Sequence, residues 1–190
     1  MKKLFFTAIA ILFSLGVTAQ SRESLEPKVA AFHSYLVNKD IDKFLDNSYP
    51  KTYLVVPRAT LKEALVSAYN SPEIKIIFLK IDPEFSYGEI KKVGTGHYCL
   101  INYKQRIKMV LSDPVKDIEG FKAAMMQGMG AEKATFYEEE NALVLDINAR
   151  MIAAAGSYSN NEWTFMLNDK VRNDLMNAVL DNDVKKALGL

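Results

Sequence analysis

"KKVGTGHYCLINYKQRIKMVL", residues 91–111, decides the fold because its side chains alternate. From His97 the odd positions carry Cys99, Ile101, Tyr103, Gln105, Ile107, Met109 and Leu111. The even positions carry Tyr98, Leu100, Asn102, Lys104, Arg106, Lys108 and Val110. One face is apolar and the other mostly basic and polar, the period-two pattern of a half-buried β-strand. The stretch also holds the only cysteine and one of the two histidines of the chain, just after Gly94-Thr95-Gly96.

That combination is weighed first as chemistry. His97 and Cys99 share the inward face, but neighbours two apart on one face lie about 6.6–7 Å apart at Cα. A nucleophile and its base need contact at about 2.6–3.2 Å, so a direct pair is strained. The better reading is a buried thiol beneath a histidine at the strand's start, in keeping with free cysteine packing as a small hydrophobe. The two glycines do not make a dinucleotide loop, which needs three glycines leading into a helix. Here a strand follows, so they predict a hairpin turn or bulge.

Working outward, Leu25, Val29, Phe32 and Leu36 fall on one helical face, with His33 at its flank. Ile41, Phe44 and Leu45 start a second short helix that stops before Pro50. Pro57 and the capping-box form Thr60-Leu61-Lys62-Glu63 predict a third, with a stripe of Leu61, Ala64, Leu65 and Ala68. Strands follow at 74–81 and 86–93, the latter running through the glycines into the opening stretch. Asp113-Pro114 resembles a helix start, Ile118, Phe121 and Met125 continue it, and Gly128 to Gly130 close it. Met125, Met126 and Met129 suit either an adaptable groove or core packing.

Three strands, 134–139, 142–154 and 162–167, come next. In the second, Leu143, Leu145, Ile147, Ala149 and Met151 face inward, and outward Asp146 is placed to pair with Lys104 or Arg106. Glu138-Glu139-Glu140-Asn141 predicts a solvated hairpin turn. A final helix carries Val171, Leu175, Ala178 and Val179, with a shorter turn around Val184 and Leu188. Helices segregated from sequential strands predict an α+β domain. Its curved antiparallel sheet of about six strands packs on N-terminal helices, and a doubly wound nucleotide fold is disfavoured.

The start of the chain predicts export. Lys2 and Lys3 precede an apolar stretch, Leu4 to Leu15, and Val17-Thr18-Ala19 is a cleavage site before Gln20. The run is shorter than the roughly 18 residues of a membrane span, and no cysteine follows it for lipid attachment. The expected product is residues 20–190, a single domain released to the periplasm or outside. Without the leader the chain has 171 residues with 22 basic and 23 acidic side chains, a net charge of −1. Near-neutrality gives no case for nucleic acid or an anionic membrane. Two scattered histidines and one cysteine give none for zinc, and no cofactor is implied.

Two stretches carry a resemblance. "DKFLDNSYPKTYLVVPRATLKEAL" (42–65) and "NNEWTFMLNDKVRNDLM" (160–176) are similar to small exported bacterial proteins of unknown function. These share a Tyr-Pro…Val-Pro helix pair and a closing Trp-x-Phe strand. The order of elements is also similar to the NTF2-like cone fold, in which a bent sheet cups a pocket against helices. The resemblance implies that fold and no particular activity, since cone folds include enzymes, ligand binders and interaction modules. The preferred expectation is a non-enzymatic binding domain for a small apolar ligand or a protein partner. Its apolar face would include Ile101, Tyr103, Ile107, Met151, Trp163 and Phe165, with a pocket edged by His97, Tyr103 and Trp163. The alternative is a small cone-fold hydrolase or isomerase with His97 as general base and Tyr103 or Cys99 nearby.

Overall fold

A computed structural model describes residues 20–79, 82–168 and 173–190. The expected leader, the last two residues of the 74–81 strand, and Val171 lie outside the described residues. Among the described residues four helices come first: α1 (Arg22–Val37), α2 (Ile41–Asp46), α3 (Thr52–Val55) and α4 (Arg58–Tyr69). Strands β1 (Ile74–Leu79), β2 (Ser86–Tyr87), β3 (Lys91–Val93) and β4 (Gly96–Leu111) follow, then α5 (Ile118–Met129). Strands β5 (Ala131–Tyr137), β6 (Ala142–Ala155) and β7 (Thr164–Leu167) precede α6 (Asn173–Val179) and α7 (Asn182–Leu188).

The protein is an α+β fold with an open, seven-stranded antiparallel sheet packed on helices. The alternating stretch is its central strand β4, paired with β6 from His97↔Ala155 to Val110↔Ala142. β1, β2 and β3 follow one another along the other edge of β4, and β5 and β7 share the outer edge of β6. Seven strands stand where six were expected because the 86–93 segment pairs with β4 in two pieces. The free edge of β1 is blunted by Lys39, whose Nζ donates to the Ile76 carbonyl at 2.7 Å.

The odd face of β4 is buried, as its alternation predicts. At the His97 end, Leu25, Val29 and Phe32 of α1 pack on Cys99, Ile101, Tyr103, Met151, Trp163 and Phe165. Phe32 stacks between Phe44 and Phe165, each with ring centroids 4.8 Å away. At the far end, α5 lays Phe121, Met125 and Met129 over Ile107, Met109, Leu143 and Leu145.

The even face departs from the expected polar surface. Near His97 it is covered by the C-terminal helices, where Met176, Val179, Leu180 and Val184 bury Tyr98, Ile152, Ala154 and Met166. Asn102, Lys104 and Arg106 stay open to solvent, and Lys108 and Val110 are half-buried.

Local starts and stops also differ from expectation. Thr52–Val55 forms a short helix of its own between Tyr49-Pro50 and Val56-Pro57. Thr60 does not cap α4, which begins at Arg58 with Pro57 at the cap position and no side-chain cap bond. Its stripe is shallow: Leu61 and Leu65 are half-buried and Ala64 and Ala68 exposed. α5 starts at Ile118, where the Asp117 side chain accepts from Gly120 N–H at 2.9 Å, so Asp113-Pro114 lies in the loop before it. The turn at 138–141 is a 3₁₀ turn closed by Asn141 in the left-handed region (φ 44°), a conformation asparagine tolerates well.

Candidate functional site

The Gly94-Thr95-Gly96 segment is a hairpin. Val93 pairs with Gly96, leaving Gly94 and Thr95 as a two-residue loop. Gly94 has φ +59° at the first loop position, where a type II′ hairpin favours glycine because a side chain there is strained. Gly96 and Gly156 then meet across the end of the β4–β6 ladder. A Cβ on Gly156 would stand 3.3 Å from Gly96 Cα, and one on Gly96 would strike the Tyr98 hydroxyl at 2.7 Å. The missing side chains let the Tyr98 ring fold back over the hairpin.

This end of the sheet forms one wall of a groove of about 380 Å³. The hairpin supplies Gly94 to Gly96, β6 and its following turn supply Ala154 to Tyr158, and α7 supplies Val184 from beneath. The loop before α3 supplies Tyr49 and Lys51. Its backbone is held against β7 by Tyr49 N–H to the Phe165 carbonyl (2.8 Å) and Phe165 N–H to the Asn47 carbonyl (2.9 Å).

Lys51 and Asp181 are paired within the groove, and Asp183 adds a second carboxylate to its lining. Lys51 Nζ donates to both carboxylate oxygens of Asp181, at 3.2 and 3.0 Å, and lies 5.1 Å from the centre of the Tyr158 ring. Tyr49 and Tyr98 are buried, whereas Tyr158 is 52% exposed. Burial, then the Tyr98 hydroxyl and the nearby Asp181 carboxylate, push the Tyr49 hydroxyl well above the usual tyrosine range. It therefore stays protonated at ordinary pH and serves as a hydrogen-bond donor.

None of His97, Cys99, Tyr103 and Trp163 lines this groove. Tyr103 and Trp163 are 5% and 4% exposed in the core beneath α1, and Trp163 Nε1 donates to Ser24 Oγ at 3.0 Å. Cys99 is fully buried, its thiol 3.4 Å from the Gly88 carbonyl. Burial raises the thiol pKa, with the Arg22 guanidinium pulling weakly the other way. His97 is half-buried at the strand's start, without a hydrogen-bonding partner among the described residues.

The other histidine is not a flank residue. His33 is buried, with Nε2 3.0 Å from Gln105 Oε1 and the rings of Phe85 and Tyr103 edge-on at 5.5 and 5.3 Å. Gln105, the one amide on the apolar face of β4, was the signal in the sequence that a polar partner had to meet it there. Burial lowers the His33 pKa, with the Gln105 bond opposing it in part.

A second hollow, of about 470 Å³, lies over the open half of the even face, where Asp82, Glu84, Lys104, Arg106, Glu132 and Asp146 mix both signs. The expected cross-strand pair forms there, with Arg106 Nε 2.5 Å from Asp146 Oδ1. Among the described residues no group of three or more His, Cys, Asp or Glu side chains is arranged to hold a metal ion, and no helix is long and apolar enough to cross a membrane.

The sequence pattern missed Tyr49, Lys51, Tyr98, Tyr158 and Asp181 as a group. They come from four separated segments, and Tyr98 sat on the face read as solvated. No family model, curated protein or solved structure matches this chain, so its geometry alone carries the functional reading.

Proposed function

We propose that the protein is an exported, non-enzymatic binding domain that holds a small ligand in the groove between the Gly94–Gly96 hairpin and the start of α7. The carrying observation is the groove itself. A half-exposed aromatic ring, Tyr158, stands over a floor containing two buried tyrosines, beside an ion pair already satisfied within the chain. Concave sites of about 300–1,000 Å³ with a few convergent polar groups are the usual form of small-molecule sites. Lys51 is engaged by Asp181, and burial keeps the Tyr49 hydroxyl protonated. That suits recognition better than proton transfer, which needs a group poised near the working pH. His97 as a general base draws no support, since it lines neither groove and its ring lacks an orienting partner among the described residues.

Export rests on the basic start, the apolar stretch and the Val17-Thr18-Ala19 site. Mass analysis of the protein recovered from its host tests it, a chain beginning at Gln20 being the expected result. The groove is tested by adding a fragment library to ¹⁵N-labelled protein. Amide shifts clustered at 49–51, 94–98, 156–158 and 181–184 support the proposal. Shifts confined to the neighbourhood of Tyr103 and Trp163, or no specific shifts, refute it.

A protein partner is the second reading. The apolar cluster under α5 is rimmed by residues that are only half-buried, among them Ile74, Ile76, Phe78, Phe121, Met125 and Met129. Methionine-rich surfaces of this kind adapt to varied partners.

A further inference from the structure

We infer that the ligand of this groove is a neutral, polyhydroxylated ring of the saccharide class, an inference that rests on the groove reading above. Lys51 stands on one wall and Asp181 and Asp183 on another, so both signs border one small space. An incoming cation meets the Lys51 ammonium, and the cation's seat over Tyr158 is already taken by that ammonium at 5.1 Å. An incoming anion meets two carboxylates. Either also strips water from an ion pair, a cost returned only by a new partner of good geometry. A neutral ligand avoids both penalties and can donate to the carboxylates while accepting from the ammonium.

The remaining walls suit the same chemistry. Tyr49 stays a protonated hydroxyl, Tyr98 supplies a second, and the exposed Thr95 and Ser157 add two more at the rim. Hydroxyls both donate and accept, matching a ligand whose own groups do the same. The half-exposed Tyr158 ring offers a flat face of negative potential to the weakly positive C–H groups of a sugar ring. Gly94 is exposed and an added Cβ there would meet nothing within 4 Å, so a ring can lie close to its backbone. A volume of about 380 Å³ suits one or two such rings.

Asp181 is the element that sets neutrality. Its side chain is 69% exposed while that of Lys51 is 17% exposed, so the acid covers the base from the solvent side. It sits at the cap position of α7 without making a side-chain cap bond, so replacing it leaves that helix end as it was.

The test is a glycan array probed with the exported chain, followed by titration of the best glycan into three proteins. The parent is expected to bind neutral glycans in preference to uronic acids and amino sugars. Tyr158→Ala is expected to weaken that binding at least tenfold with an unchanged thermal midpoint. Asp181→Asn, which frees the ammonium, is expected to raise binding of uronic acids at least fivefold. Binding of charged glycans only, or a Tyr158→Ala protein that binds as well as the parent, overturns the inference. No glycan binding while fragments still shift the groove amides also overturns it and leaves the groove reading standing. Loss of both signals sinks the two together.

Discussion

Mild acid should loosen this protein through His33. The ring is 7% exposed and bonded to Gln105 at 3.0 Å. Gln105 Nε2 is committed to the Arg106 carbonyl at 3.2 Å, which leaves Oε1 toward the ring, so the neutral imidazole carries its proton on Nε2. Charging that ring sets a cation among Phe85 and Tyr103, and burial accordingly holds its pKa below 6.5. The sign follows directly. As pH falls below 6.5 the unfolded chain takes up the proton first, and the stability due to neutral His33 drains until the folded pKa is reached. Within that window the slope is at most about 1.4 kcal/mol per pH unit. With a urea dependence of about 1–3 kcal/mol/M, the midpoint falls by no more than about 0.5–1.4 M per unit. Asp40 and Asp42 do not confuse the result, because their partners lower them from 3.8, beneath the window. Urea melts followed by circular dichroism at about pH 7.5, 6.5 and 5.5 measure it. His33→Leu should lose the slope whatever its absolute stability. A parent protein with a flat profile, or a His33→Leu variant with the slope intact, refutes the reasoning.

Three further outcomes are expected. Phe165→Ala, at a fully buried ring stacked on Phe32, should cost about 3–5 kcal/mol in urea melts; a loss under about 1 kcal/mol would mean that α1 is not packed as described. Gly96→Ala places a Cβ 2.7 Å from the Tyr98 hydroxyl, and the forced shift should cost about 1–3 kcal/mol and move the Tyr98 ring resonances; a variant with parental stability and unmoved ring signals contradicts the hairpin geometry. Cys99 should resist a disulfide reagent in the native protein and react fast in denaturant, whereas prompt native labelling would contradict its burial.

Much of the fold was legible because β4 and β6 each bury one face over a long run. Alternation in both strands put Ile101, Ile107, Leu143, Leu145 and Met151 on one side, where the ladder and the core clusters have them. A cross-strand pair of Asp146 with Lys104 or Arg106 was readable for the same reason, and the ladder sets Arg106 opposite it. Alternation cannot show what covers the second face. Tyr98 and Leu100 meet helices that arrive some eighty residues later, and nothing in the spacing of β4 announces them. Helix starts were misread where two capping signals compete, as at Asp113 and Asp117, because only the three-dimensional loop decides which side chain reaches a free N–H. The groove was invisible for a related reason: Tyr49, Tyr98, Tyr158 and Asp181 share no periodicity and meet only through the β6–β7 connection and the placement of α7.

The most direct test of the groove is a crystal structure of the protein purified from its own host with whatever it retains. The account predicts ordered ligand density between the Tyr158 ring and the Gly94–Gly96 backbone, within reach of Tyr49 and Lys51. Density lodged instead against His97, Tyr103 and Trp163, with the groove holding solvent alone, would contradict it.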